Sequence, residues 1–546
     1  MNKLNEPPPM PNSFLNFFAL TILFVSSTHQ VLSEPILSSW YLERAGNYAR
    51  IWKSIEDETT EKTTGVVTSV TTWDADTVDG RPFIGTQDSP IYAGIQGVSY
   101  SEDYVYIKAT GLAVHTMGPW YDDSDKTVAF PSWPANAAIL FRFPRETNYP
   151  QDYTNPNNLS GLGTNGLMVD SVPIFNSSDG SSYDDAGVWN QDAFYNEGGT
   201  FDAANAHQAA EAHHYHANPP ALRHLLGDSV EYDPETVYTG LASNGGVSPY
   251  TEVPNGQHSP IIGWVVDGLP LYGPYGYSDP NDPTSEVRRM VSGYQVRDGS
   301  NGSYDLSSNG RNLLPEWSIT LGNTNSTTPS SDGPSVDETG RYRLGSYIED
   351  YAYKDDLDGF KLYEGLATDG AFDESVHFDL NIYNVRYCVT PEFPEGTWAY
   401  FTCIESDGVP IYPYNIGNRY FGDSSSATAV TEIDEPVTEV FAGAESIVDS
   451  LTGNPEISDD GTITIIWEGV EGGNYKVQTS NNLSDWDTSS NEFTATSTQF
   501  ETVSELSDDA SAPNFYQLYR SGLADYDDTE FGSSGGGGGP GGGGPP

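Results

Sequence analysis

Basic residues are scarce in this chain. Its 546 residues include 23 lysines and arginines against 78 aspartates and glutamates, a formal charge of −55. Such a surface repels phosphates and anionic lipid, which proteins hold through Lys and Arg, so nucleic-acid binding is set aside. It suits a saline medium outside the cell. Acidic composition also accompanies disorder, but 35 Tyr, 22 Phe and 11 Trp supply too much aromatic surface for that reading. Cysteine is nearly absent: Cys388 and Cys403 are the only two, which excludes a disulfide scaffold and a Cys-based zinc site. The stretch between them carries Pro394-Glu395-Gly396 and can fold as a hairpin. One disulfide and two free buried thiols both remain open.

Long apolar runs are missing too. The run 14–25, FLNFFALTILFV, falls short of the ~20 residues a membrane helix needs. With Lys3 before it and Val31-Leu32-Ser33 after it, it reads as the apolar part of a secretory signal peptide cleaved after Ser33. Prolines at 7, 8, 9 and 11 argue against a buried helix there. The protein is therefore expected to be secreted, extracellular or periplasmic, with no transmembrane segment and with cell-surface or matrix attachment open. HExxH and P-loop motifs are absent, and the one GxSxG match lies in the Gly-rich tail. The acidic stretch 525–530 lacks the glycine and ligand spacing of a calcium loop.

What is present is a succession of short alternating segments. Tyr104-Val105-Tyr106-Ile107, 138–143 and Trp398-Ala399-Tyr400-Phe401 read as strands bounded by turn residues, and Trp264-Val265-Val266 runs into an Asp267-Gly268 turn. Sustained helical periodicity is scarce. The expected class is all-β: a large sandwich or distorted barrel with long loops, over 34–422, plus a small C-terminal β-sandwich over 455–522. A small, polar and acidic stretch, 423–454, is expected as a linker, and 523–546 as a Gly/Pro-rich flexible tail. YKVQTSNNLSDW and FYQLY resemble an accessory β-sandwich module of secreted bacterial proteins.

Five of nine histidines lie between His207 and His224. In AHHYHANPP, 212–220, strand alternation projects His214 and His216 from one face and His213 and Tyr215 from the other. Two imidazoles on one face make half of a site for copper or zinc, and His207, His258 and His115 are available to complete it. Ordinary hydrogen-bonding roles suit His29 and His377, and a short helix surface suits His224. The tyrosines Tyr272, Tyr275 and Tyr277 form a conceivable glycan-stacking rim, although packing into a β-core is the commoner fate of such residues. Glu349, Asp350 and Glu392 stand beside aromatic strands as candidate acid/base groups or oxygen ligands.

These blocks resemble the YHYH-domain family. Its motif reads His213-His214-Tyr215-His216 here, with His in place of the first Tyr. GVWNQDAFYNEGGTFDAANAH (187–207), ANPPAL (217–222), HSPIIGWVVDGLPLYGPYGY (258–277), RRMVSGYQVRDGSNGS (288–303), LGSYIEDYAY (344–353) and VRYCVTPEFPEGTWAYF (385–401) extend the similarity over most of 90–422. The resemblance implies that His207, His214, His216 and His258 occupy the family's histidine positions, and that His115 sits in its early Gly-x-x-x-His block. Asn384-Val385-Arg386 departs from the family's Asn-Gly-Arg, so that arginine receives no role. The resemblance implies an architecture and a site rather than a reaction. Two functions are thus expected to compete: a secreted transition-metal protein, with metal-dependent catalysis open to it, and a non-enzymatic extracellular protein that binds a small molecule or glycan.

Overall fold

The computed structural model describes residues 34–443 apart from 75–76, 79–80, 83, 123–125, 150–159, 242–244, 321–331, 338–339 and 426, and beyond them chiefly strand backbones up to 523. The signal run 1–33, with His29, and the tail from 524, with 525–530, lie outside the described residues. The strands that position the site are β1 (Ile95–Tyr100), β2 (Tyr104–Ala109), β3 (Ile139–Pro144), β4 (Gly166–Met168), β5 (Ala206–Ala209), β6 (Ala212–Tyr215), β7 (Ile261–Val265), β8 (Pro270–Tyr272), β9 (Val385–Cys388), β10 (Thr397–Phe401), β11 (Thr428–Ala429) and β12 (Thr438–Ala442). Helices are short; those used below are α1 (Ala193–Glu197) and α2 (Pro220–Leu225). Among the described residues no helix is long and apolar enough to cross a membrane.

The class is all-β, as the alternating segments imply. One five-stranded antiparallel sheet runs β11-β3-β2-β1-β12, and a second runs β9-β10-β8-β7-β4, with β10 and β8 parallel. Neither closes into a barrel. Val105, Ile107, Phe141 and Phe143 of the first sheet and Ile262, Val265, Leu271 and Phe401 of the second belong to one buried apolar cluster. Each such side chain contributes about 1.5–3 kcal/mol of burial energy. All five residues of β7 are buried, which explains its unbroken apolar run: a strand covered on both faces has no polar side to show. The turn after it is fixed by Gly268 at φ 82° and by Asp267, whose carboxylate accepts from the Leu269 N–H (3.2 Å), the Tyr400 hydroxyl (2.7 Å) and the Gly422 N–H (2.9 Å).

The stretch expected as a linker behaves differently. β11 pairs with β3 and β12 pairs with β1, so residues from 423–454 supply both edges of the first sheet. Val440 and Phe441 pack against the core, and the Tyr106 hydroxyl donates to Glu435 at 2.5 Å. The shift to small, acidic residues marks exposed edge strands, whose charges discourage further pairing. Further along, Thr462–Glu468, Gly473–Ser480, Gln499–Glu505 and Phe515–Leu523 are strands, paired in two separate sheets.

β9 and β10 form the hairpin anticipated between the cysteines. Cys388 pairs across it with Thr397, while Cys403 lies beyond the end of β10. Both are free, buried thiols, and burial pushes them up to about 11 and about 12.

Candidate metal centre

β5 and β6 make a tight hairpin whose register sets His214 opposite His207, His213 opposite Gln208 and Tyr215 opposite Ala206. Directly paired residues share a face, and so do residues two apart on one strand. His207, His214 and His216 therefore converge. Their ring centroids are separated by 4.7 Å (207–214), 4.8 Å (214–216) and 5.7 Å (207–216). All three are buried, and their nearest ring nitrogens lie within 4.8 Å of one another.

Each imidazole is anchored through Nδ1. His214 Nδ1 lies 2.8 Å from the Ala212 carbonyl and His216 Nδ1 lies 2.7 Å from the Asn176 carbonyl. A carbonyl only accepts, so both Nδ1 atoms carry hydrogen. His207 Nδ1 lies 2.8 Å from Thr200 Oγ1. That hydroxyl spends its own hydrogen on the Glu197 carbonyl at 2.7 Å, so it accepts from His207 as well. In their neutral forms all three rings therefore present a bare Nε2 lone pair to the same space. His214 Nε2 and His216 Nε2 stand only 3.0 Å apart, and two lone pairs at that distance repel unless a proton or a metal cation lies between them.

A carboxylate closes the group. Glu197 Oε2 lies 3.2 Å from His216 Nε2 and 3.5 Å from His207 Nε2. It is delivered by α1, whose N-terminus is capped by Asp192 Oδ1 on the Tyr195 N–H at 2.9 Å. The single 3-10 turn that follows brings Thr200 to His207, so one short element supplies both the carboxylate and the anchor. Aromatic rings wall the space. Phe175 stacks on His214 at 3.8 Å, and Phe201 stands 4.7 Å from His207 and 6.0 Å from His216. Burial raises the Glu197 carboxyl, but His207 and His216 outweigh it and hold the group below the usual carboxylate range. Burial depresses His207 and, further, His214. It works the same way on His216, where Glu197 prevails and raises the ring.

The remaining sequence candidates lie elsewhere. His258 packs among Tyr272 (5.1 Å), Tyr277 (4.9 Å) and Phe401 (6.0 Å), with Nδ1 on the Ser259 carbonyl at 2.8 Å. Its Nε2 is buried without a partner, and burial pushes the ring down to about 4. Neither nitrogen of His115 has a hydrogen-bond partner, and burial with the charge of Arg44 takes it to about 3. Thus three of the five proposed ligands assemble, while His258 and His115 do not join them. His213 lies on the opposite face of β6, edge-on to Trp120 at 5.7 Å. His224 on α2 and His377 make ordinary hydrogen bonds, to the Val230 carbonyl and from the Asp373 N–H. Tyr272 and Tyr275 are buried in the fold rather than forming an open rim. Glu349 accepts from Asn190, Asp350 pairs with Arg311, and Glu392 accepts from the Tyr272 hydroxyl.

Glu197 and Thr200 escaped the sequence reading. Both fall inside the block leading to the motif, but a lone carboxylate is inconspicuous among 78 acidic residues. An open cleft is lined by Phe194 of α1 with Asn205, Asn218, Tyr238 and Tyr250; none of the three histidines lines it.

Residues 141–410 match the family model described as YHYH protein. That span contains the whole histidine group and excludes His115. No curated protein and no solved structure matches the chain.

Proposed function

The chain belongs to the YHYH protein family through residues 141–410, and we propose that it is a secreted protein holding one transition-metal ion, zinc or copper, through His207, His214 and His216. The observation that carries this reading is the set of three Nδ1-anchored rings whose bare Nε2 atoms meet, two of them 3.0 Å apart. Anchoring of the distal nitrogen by a carbonyl or hydroxyl is the hallmark of a metal-ligating histidine, because it fixes the tautomer and the ring orientation. Imidazole nitrogen suits zinc and copper. Such an ion, when bound, supplies a Lewis acid or, for copper, a redox centre.

The chain's own residues have defined parts in this. The Ala212 and Asn176 carbonyls and the Thr200 hydroxyl hold the donors in place, and Phe175 and Phe201 keep bulk water from the rings. Export rests on the apolar run at 14–25 and the small or branched residues Val31-Leu32-Ser33 after it. The competing reading, a binding or matrix protein without metal, requires His216 to carry a proton and pair with Glu197 instead.

Replacing His214 and His216 together by Ala separates the two. Metal content measured by elemental analysis is expected to fall from one ion per chain to none, with far-UV circular dichroism unchanged. A wild-type protein that takes up neither zinc nor copper stoichiometrically overturns the metal reading.

A further inference from the structure

The three imidazoles leave one question unanswered: what occupies the fourth direction. Four donors about 2.0 Å from one ion at the corners of a tetrahedron stand about 3.3 Å from each other. The separations here that involve Glu197 Oε2 are 3.2 and 3.5 Å, and that between His214 and His216 is 3.0 Å. The carboxylate oxygen thus already stands at that spacing from two of the three rings, His207 and His216. Among the described residues the Glu197 carboxylate contacts only the Nε2 atoms of His207 and His216, while every imidazole is tied down at its far side.

The four donors differ in how they are held. Each ring has an anchor and sits on or next to the β5–β6 hairpin, and all three are buried, the His207 side chain 7% exposed and that of His216 2%. The Glu197 side chain is 29% exposed. It ends a helix of five residues and is followed by Gly198-Gly199, and no hydrogen bond holds its carboxylate from behind among the described residues. Of the four donors it alone can withdraw toward solvent without breaking an anchor.

Resting on the metal reading above, we infer that Glu197 is the fourth, exchangeable ligand, and that the position it vacates admits a small uncharged oxygen or nitrogen donor. In the exchange one carboxylate–metal bond breaks and one donor–metal bond forms, with no proton or electron transferred. The ligand is uncharged because an incoming anion meets a chain of formal charge −55 and competes with a tethered carboxylate of its own sign. A site built in this way is open to exchange, whereas a closed four-ligand site serves only the fold.

Cobalt(II) is the probe, because its visible bands report coordination number and ligand type. Wild-type protein loaded with one equivalent is expected to show intense four-coordinate bands. Glu197→Ala is expected to keep cobalt, bind it at least ~10-fold more weakly, and show altered bands that added formate restores. Neutral imidazole added to wild-type protein is expected to change the bands, and azide to do so only at higher concentration. Unaltered bands in Glu197→Ala show that the carboxylate is no ligand and overturn the inference while leaving the three-histidine site standing. Bands that imidazole changes in Glu197→Ala but not in wild type mark a fixed fourth ligand and overturn exchange. Azide displacing Glu197 as readily as imidazole overturns the preference for uncharged donors. A wild-type protein that binds no cobalt removes the metal reading itself, and this inference with it.

Discussion

The two faces of β6 carry similar residues and do opposite work. On one face His214 and the adjoining His216 meet His207 and Glu197, and each ring has a polar anchor. On the other, His213 and Tyr215 are equally buried, yet the Tyr215 hydroxyl has no partner and neither ring nitrogen of His213 makes a well-formed hydrogen bond. Burial is therefore not what separates the two faces of this strand; anchoring is. The contrast also explains the motif that gives the family its name: in a strand, alternate letters fall on alternate faces, so its histidines face the donor group and its first and third residues face the core. His213, standing where the family has Tyr, is a change on the core side and leaves the donor set intact.

Variants that act on one face only sharpen this division, beginning with the largest effect. Tyr215→Ala removes a fully buried ring and is expected to cost about 3–5 kcal/mol in denaturant unfolding. Any metal that the folded fraction binds should do so with unchanged affinity, and a small stability loss would mean that the core face is not packed as described. Next comes Thr200→Val, which keeps shape but removes the acceptor of His207 Nδ1. Metal affinity from competition with a chelator is expected to fall about 10- to 100-fold; an unchanged affinity would show that the anchor is dispensable. His213→Phe is smaller still. It removes ring nitrogens that are buried without good partners, so the melting temperature should rise, by an amount equivalent to about 1 kcal/mol, with metal content unchanged. A loss of metal there would erase the distinction between the faces.

Much of this division is legible in the chain itself. The alternation of His214 and His216 follows from strand periodicity alone, and the strands at 104–109, 139–144 and 397–401 announce themselves through alternating apolar residues and flanking turns. The partnership of His207 with His214 depends on register, set by a two-residue connection at Ala210 and Glu211 with Ala210 at φ 55°. No Asn-Gly or Asp-Gly signal marks that turn, so the pairing is hidden until the hairpin is seen. Glu197 is hidden for a different reason. It arrives on a helix too short to show periodicity, and its role comes from tertiary placement. His258 illustrates the converse: it has an anchored Nδ1 and a bare Nε2 like the three grouped rings, but its neighbours are Tyr272, Tyr277 and Phe401 instead of other donors. The acidic stretch after residue 423 looks like a linker because edge strands need solvent-facing charge, and composition does not distinguish the two.

Histidine ring ¹⁵N NMR before and after one equivalent of zinc tests the central claim most directly, since it reads the protonation of each ring nitrogen. His207, His214 and His216 are expected to be protonated at Nδ1, with their Nε2 resonances moving together to metal-bound positions on loading, while His115, His213 and His258 stay where they were. A His216 that remains a doubly protonated imidazolium, paired with Glu197 and indifferent to zinc, would contradict it.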